Sequence, residues 1–194
     1  MMFTNMAWIY LQTANVISSM DLHIIQECFV DTNLIKTLVP TGKGFNHQKG
    51  CGTVAKVMKE KFTDDFAVGI IDKDKLQLDY LNEFDEVHSY GTLTLHKHKT
   101  RHHYIVQIFP AIEKFILAAV EDCNLSLDDY DLPQDFNDLK KTSKSVSSKF
   151  DKRFKQLFKD LLSAGNQEFI MLGSWIAYLK DKNYDTNIEE LKEI

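Results

Sequence analysis

A chain of 194 residues with 44% hydrophobic and 26% charged residues has the balance of one ordinary globular domain, which excludes wholesale disorder. Its formal net charge of −5 excludes a uniformly basic nucleic-acid coat, although a locally basic surface remains compatible with it. No apolar run approaches the roughly 18–20 residues that span a bilayer, so no membrane partner is expected. Cys28, Cys51 and Cys123 are scattered and lack a CxxC pair; they fit a reducing cytoplasm better than a disulfide framework or a zinc site.

Residues 1–20 read as a leader that differs in character from the rest of the chain. The first 19 carry no Lys or Arg, so a secretory signal is not expected, and Met20 is a candidate translation start beside Met1. From Asp21 onward short apolar runs alternate with helical patterns. Residues 22–26 predict a buried strand. Asp31 can cap a helix running to about residue 39, where Pro40 stops it. Residues 42–52 hold four of the eight glycines and predict a loop with a short strand near 45–48. Residues 53–62 place Val54, Val57, Met58 and Phe62 on one helical face. Residues 66–71 are a continuous apolar run ending in Asp72, the pattern of a fully buried strand. This order predicts an α/β domain with a Rossmann-like, mostly parallel central sheet flanked by helices.

Farther along, a short helix is predicted near 76–82, strands over 86–95 and 104–109, and a helix from Pro110 to about residue 120. Residues 121–138 carry seven Asp or Glu and no Lys or Arg. Residues 140–159 then carry eight Lys or Arg against one Asp, which predicts an exposed connector followed by a basic helix. Phe150, Phe154, Leu157, Phe158 and Leu161 form the expected apolar stripe of that helix. A last helix is expected over 167–180. The predicted organisation is therefore a leader (1–20), an α/β domain (21–123), an acidic-to-basic connector (124–145) and a C-terminal helical extension (146–194).

The sharpest chemical feature is Asp72-Lys73-Asp74, directly after the apolar strand. Carboxyl ends of strands are the usual ligand edge of α/β sheets. Two carboxylates held there repel one another unless a hard cation such as Mg²⁺ or Mn²⁺ binds. Glu27 follows the first strand, so if the two strands are parallel neighbours it opens on the same edge. Asp31 lies four residues later, with helix capping as its competing role. A polar turn and a solvated strand end are the plain alternatives for Asp72/Asp74 and Glu27.

A strand ending in Glu, a helix, then a strand ending in Asp-x-Asp resembles the TOPRIM domain. The Glu27–Asp31 spacing is similar to the Glu-Gly-x-x-Asp of bacterial primases, with Cys28 in place of the Gly, and Ile70-Ile71-Asp72-Lys73-Asp74 is similar to the family's hydrophobic-Asp-x-Asp. The compact spacing resembles small TOPRIM nucleases of the overcoming-lysogenisation-defect type over roughly residues 21–110. Those relatives often carry a further Glu in a segment similar to Ala111-Ile112-Glu113-Lys114-Phe115, which makes Glu113 a candidate fourth acid, with an exposed helix carboxylate as the plain alternative. The resemblance implies hydrolysis of DNA or RNA phosphodiesters with Mg²⁺ or Mn²⁺. Glu27, Asp72 and Asp74 would be both catalytic and metal-binding, and Asp31 and Glu113 additional acids.

Phosphate contacts are sought among the basic residues. The loop 44–50 lacks the GxxxxGK[ST] pattern, so it is no P-loop. His47 and Lys49 can still meet a phosphate before the next helix, or simply belong to a turn. Five of the seven histidines lie between 88 and 103 without zinc spacing. His96, His98 and Arg101 instead suit a basic hairpin on a phosphate backbone, or a plain exposed hairpin. Two other functions use the same residues. A phosphohydrolase of the haloacid dehalogenase class also has hydrophobic-Asp-x-Asp, with Asp72 as nucleophile and Asp74 as acid/base, and does not need Glu27. A non-catalytic module with a TOPRIM-like fold, binding a protein partner in a defence or mobile-element system, needs none of the acids.

Overall fold

The computed structural model describes residues 19–42, 44–73 and 78–194. The first strand, β1, is Ile24–Gln26, shorter than expected because Ser19–His23 winds into a 3-10 turn ahead of it. Helix α1 is Phe29–Leu38 and begins before the expected cap. Cys28 is its N-cap, and Asp31 sits in the first turn, where its Oδ2 accepts from the Cys28 N–H at 3.0 Å. This is a capping box with a thiol in the usual hydroxyl's place. Strand β2 is only Asn46–His47, α2 is Cys51–Lys61, and β3 is Ala67–Asp72.

The chain then forms a 3-10 turn at Asp79–Glu83 and a meander of β4 (Phe84–Tyr90), β5 (Leu93–His98) and β6 (His103–Ile108). The single strand expected over 86–95 is thus a hairpin. Gly91, at φ 55°, turns the chain between Tyr90 and Leu93. Helix α3 is Ile112–Asp122, followed by α4 (Phe136–Ser143), α5 (Lys152–Ser163), α6 (Gln167–Lys182) and α7 (Ile188–Lys192). The basic stretch is two helices. A 3-10 turn at Val146–Phe150 separates them, and Asp151 restarts the second by accepting the Arg153 N–H.

The strands form one sheet in the order β2-β1-β3-β6-β5-β4. The first four are parallel, and β5 and β4 extend the sheet antiparallel. Alternation along the strands sorts the core. Ile24, Val68, Ile70, Tyr104 and Val106 join the larger core under α1, α3, α5 and α6. Ile25, Ala67, Ile71 and Ile105 join Val54, Val57 and Met58 of α2 on the other face. Gly69 lets α2 approach closely: a Cβ there would sit 2.9 Å from Met58 Sδ and 3.1 Å from Val54 Cγ1.

The C-terminal helices share the larger core with the sheet, from Ile24 to Leu191. They are also pinned by polar bonds. Asn33 Nδ2 on α1 donates to the carbonyls of Ser148 (2.7 Å) and Asp151 (2.9 Å). Lys180 of α6 pairs with buried Asp21 at 2.6 Å and donates to Pro40 O at 2.7 Å. No helix among the described residues is long and apolar enough to cross a membrane.

Candidate functional site

β1 and β3 are parallel neighbours, with Gln26 opposite Ile70, so the condition that puts Glu27 and Asp72 on one edge is met. The Glu27 N–H donates to Ile70 O at 3.1 Å, and the Asp72 N–H donates to Glu27 Oε2 at 2.9 Å. The Glu27 side chain therefore lies across the end of β3. Asp72 in turn accepts the Ile112 N–H on Oδ1 at 2.9 Å, at the start of α3. Glu113, one residue on, is buried and accepts from Ser143 Oγ at 2.6 Å. Asp31 faces the same region from the first turn of α1.

Four carboxyl groups from four elements thus converge, and their electrostatics reflect it. Burial, then Asp31, Glu27 and Glu113, pushes the Asp72 carboxyl up to about 9. Burial raises Asp31 to about 7, with Glu27 and Glu113 adding to the shift against the bonds from Cys28. Burial and the adjacent Asp31 also push the Cys28 thiol upward, so it serves as a cap rather than a thiolate. Asp31 Oδ1 is buried with no hydrogen-bond partner among the described residues. An anionic oxygen in that position costs free energy unless a proton or a cation meets it. Among the described residues, however, no three Asp, Glu, His or Cys side chains enclose a metal position. The acids lean on backbone donors and on Ser143 instead. Asp74 lies outside the described residues.

The basic candidates divide. His47 is at the carboxyl end of β2, beside Gln26 of β1. Its Nδ1 donates to Cys28 O at 3.1 Å and its ring stacks on Phe29 at 4.2 Å. Burial and Lys149 lower its pKa, and its Nε2 is buried without a partner among the described residues. Lys49 follows, exposed, with its Nζ 6.0 Å from the Phe29 ring. These two sit beside the acids.

His98 and Arg101 do not. The β5–β6 turn lies at the amino end of β6, on the order of 17 Å along that strand from its carboxyl end. The antiparallel return of the hairpin carries them there. His98 is also 4% exposed, bonded through Nε2 to Glu83 and through Nδ1 to the N–H groups of Thr100 and Arg101. It organises the turn and presents no face to a phosphate. His96, within β5, donates from Nε2 to Gln107 Oε1 at 2.9 Å.

Three further residues, Phe109, Phe150 and Lys36, take part in exposed lysine–aromatic contacts. Phe109 follows β6, next to Ile108, the register partner of Asp72; it is 52% exposed and has Lys73 Nζ 5.7 Å from its ring. Phe150 is 73% exposed, not part of the apolar stripe of α5, which consists of Phe154, Leu157, Phe158 and Leu161. Lys36 lies over the Phe150 ring at 5.3 Å. The restart of the helix at Asp151 is the signal that could have separated Phe150 from the stripe.

Comparison with known proteins brings no relative. No protein-family model, curated protein or solved structure matches the chain. The geometry of the carboxyl edge therefore carries the functional argument.

Proposed function

We propose that this chain is a divalent-metal-dependent, TOPRIM-like protein that hydrolyses nucleic-acid phosphodiesters at the carboxyl edge of its sheet. The observation that carries the proposal is the meeting of Glu27, Asp31, Asp72 and Glu113, with Asp31 Oδ1 buried and unpartnered among the described residues. Burial raises the Asp72 and Asp31 carboxyls, and an acid group held that way beside an unmet oxygen suits a hard cation. Glu27 and Asp72, joined by Asp74 of the sequence motif, would hold Mg²⁺ or Mn²⁺, with Asp31 and Glu113 as additional acids. A bound ion of this kind supplies Lewis acidity toward the phosphate and acidifies water.

The chain's own groups then have separable tasks. Glu27, on the Asp72 N–H, is placed to take a proton from an attacking water. The Ile112 N–H fixes the Asp72 carboxyl, and His47 and Lys49 flank the acids for the phosphate backbone. The haloacid dehalogenase alternative uses Asp72 as nucleophile and gives no task to Glu27, whose carboxyl accepts the Asp72 N–H.

The test is a nuclease assay on single- and double-stranded substrates with Mg²⁺ or Mn²⁺, comparing wild type with Glu27→Gln and Asp72→Asn. Metal-dependent cleavage that falls at least a hundredfold in both folded variants is the expected result. Cleavage that persists in both would overturn the assignment. Phosphatase activity that survives Glu27→Gln and dies with Asp72→Asn would transfer it to the dehalogenase chemistry.

A further inference from the structure

Two exposed phenylalanines carry lysines, Phe109 at the carboxyl edge and Phe150 beside α1, the helix that starts there. Phe109 follows β6, with Lys73 Nζ 5.7 Å from the ring centroid. The Lys73 N–H donates to Ile108 O at 2.8 Å, so this pair is fixed to the ends of β3 and β6 beside Asp72. The Phe150 ring lies under two lysines, Lys36 Nζ at 5.3 Å and Lys149 Nζ at 5.7 Å. Its turn is hung on α1, the helix that begins at the acids, by the two hydrogen bonds from Asn33. His47, stacked on Phe29, is at the carboxyl end of β2, and Lys149 is close enough to His47 to depress its protonation.

Two properties mark this as more than a solvated surface. The other phenylalanines of the C-terminal helices, Phe154, Phe158 and Phe169, are fully buried. Leaving Phe150 at 73% and Phe109 at 52% exposure forgoes part of the stabilisation that burying an aromatic ring gives. In addition, among the described residues no carboxylate pairs with Lys36, Lys49, Lys73 or Lys149. Lys36 and Lys149 even repel one another, which with burial lowers the Lys36 pKa. In a chain of net charge −5, these lysines stand unpaired beside the acids with aromatic faces among them.

We propose that this surface binds a single-stranded polynucleotide, its bases stacked on Phe150 and Phe109 and its phosphates on Lys36, Lys149 and Lys73. The inference rests on the phosphodiesterase assignment above, because it gives the four acids a substrate class. The edge from His47 to Phe109 crosses β2, β1, β3 and β6, a span of roughly 14 Å at about 4.8 Å per strand. A strand lying along it passes over Glu27 and Asp72. A duplex keeps its base faces stacked inside and offers only phosphates, so it can use the lysines and not the phenylalanines.

The probes are labelled oligothymidylate and oligouridylate of about a dozen nucleotides, with a blunt duplex of equal length, read by fluorescence anisotropy in EDTA so that nothing is cleaved. At least one single strand binds tenfold or more tighter than the duplex. Phe150→Ala and Phe109→Ala each weaken single-strand binding by about fivefold to a hundredfold and leave duplex binding unchanged. Lys36→Gln/Lys149→Gln reduces the salt slope by about 1.4, the value for two phosphate contacts on a single strand. Phe150 is exposed, so circular dichroism of its variant should match wild type.

Equal affinity for duplex and single strands, or wild-type affinity in Phe150→Ala, overturns the proposal. The two assignments fail separately. Cleavage of duplex by a protein whose Phe150→Ala variant binds normally removes the stacking surface and leaves hydrolysis standing. Phe-dependent single-strand binding without cleavage in any metal keeps the surface and removes the hydrolysis.

Discussion

Asp72 joins three parts of the edge: its N–H holds Glu27, its Oδ1 accepts from the start of α3, and its charge is opposed by Asp31, Glu27 and Glu113. The consequence is a pH dependence of defined sign. Burial and their acidic neighbours push the Asp72 and Asp31 carboxyls up to about 9 and about 7 in the folded chain, from about 4 when unfolded. The folded state therefore binds more protons between those values, and stability falls as pH rises. The contribution is fully present below about 4 and is lost as pH passes through 7 and 9. In chelator, the wild-type thermal midpoint should fall from pH 5 to pH 9, and Asp72→Asn should flatten that fall and melt higher at pH 8. A variant that melts lower than wild type at pH 8 would make Asp72 a structural cap and nothing more. Saturating Mn²⁺ should remove much of the wild-type fall, because binding to the folded form stabilises it by mass action.

At the scale of elements, two contacts set the edge. The close approach of α2 to β3 depends on Gly69, where added bulk meets Met58 and Val54. Gly69→Val should cost about 1–3 kcal/mol of stability by overpacking, measured by urea denaturation, whereas an unchanged midpoint would mean that α2 shifts freely. The 3-10 turn that presents Phe150 is tied to α1 by Asn33, which donates to two carbonyls, one of them on buried Ser148. Asn33→Ala should cost about 1–3 kcal/mol, because those carbonyls lose their donor, and metal affinity should remain as in wild type.

These elements also mark where the sequence is readable. The run that becomes β3 is continuous and apolar, so its burial and its terminal Asp are legible without a structure. Asp31 is less so: its spacing suits a cap as well as a ligand, and the fold makes it the N3 partner of Cys28 while leaving Oδ1 unmet. Phe150 is misleading in sequence, because its spacing continues the stripe of Phe154 and Leu157 across a break that only the Asp151 cap creates. His98 and Arg101 are misleading for another reason. Local pattern predicts the strands flanking the turn but not which end of the sheet the turn reaches.

For the whole molecule, the sheet brings together residues separated by more than eighty positions. Glu27, Asp72 and Glu113 meet because β1, β3 and β6 run parallel and end at one edge. The α/β class follows from the order of apolar runs, and the strand order, with β1 inside β2 and β3, emerges only in three dimensions. The expected helical extension over 146–194 is helical, and it contributes Phe154, Leu157 and Trp175 to the same core as Val68 and Ile70. It also supplies Phe150, exposed beside Lys36 of α1.

The most direct measurement is calorimetric titration of Mn²⁺ into wild type, Glu27→Gln and Asp72→Asn, each first shown to be folded by circular dichroism. The carboxyl-edge assignment predicts saturable binding by wild type and a loss of affinity greater than tenfold in both variants. No binding by wild type, or undiminished binding in the variants, would contradict it and leave the four acids as caps of the strands and helices they end.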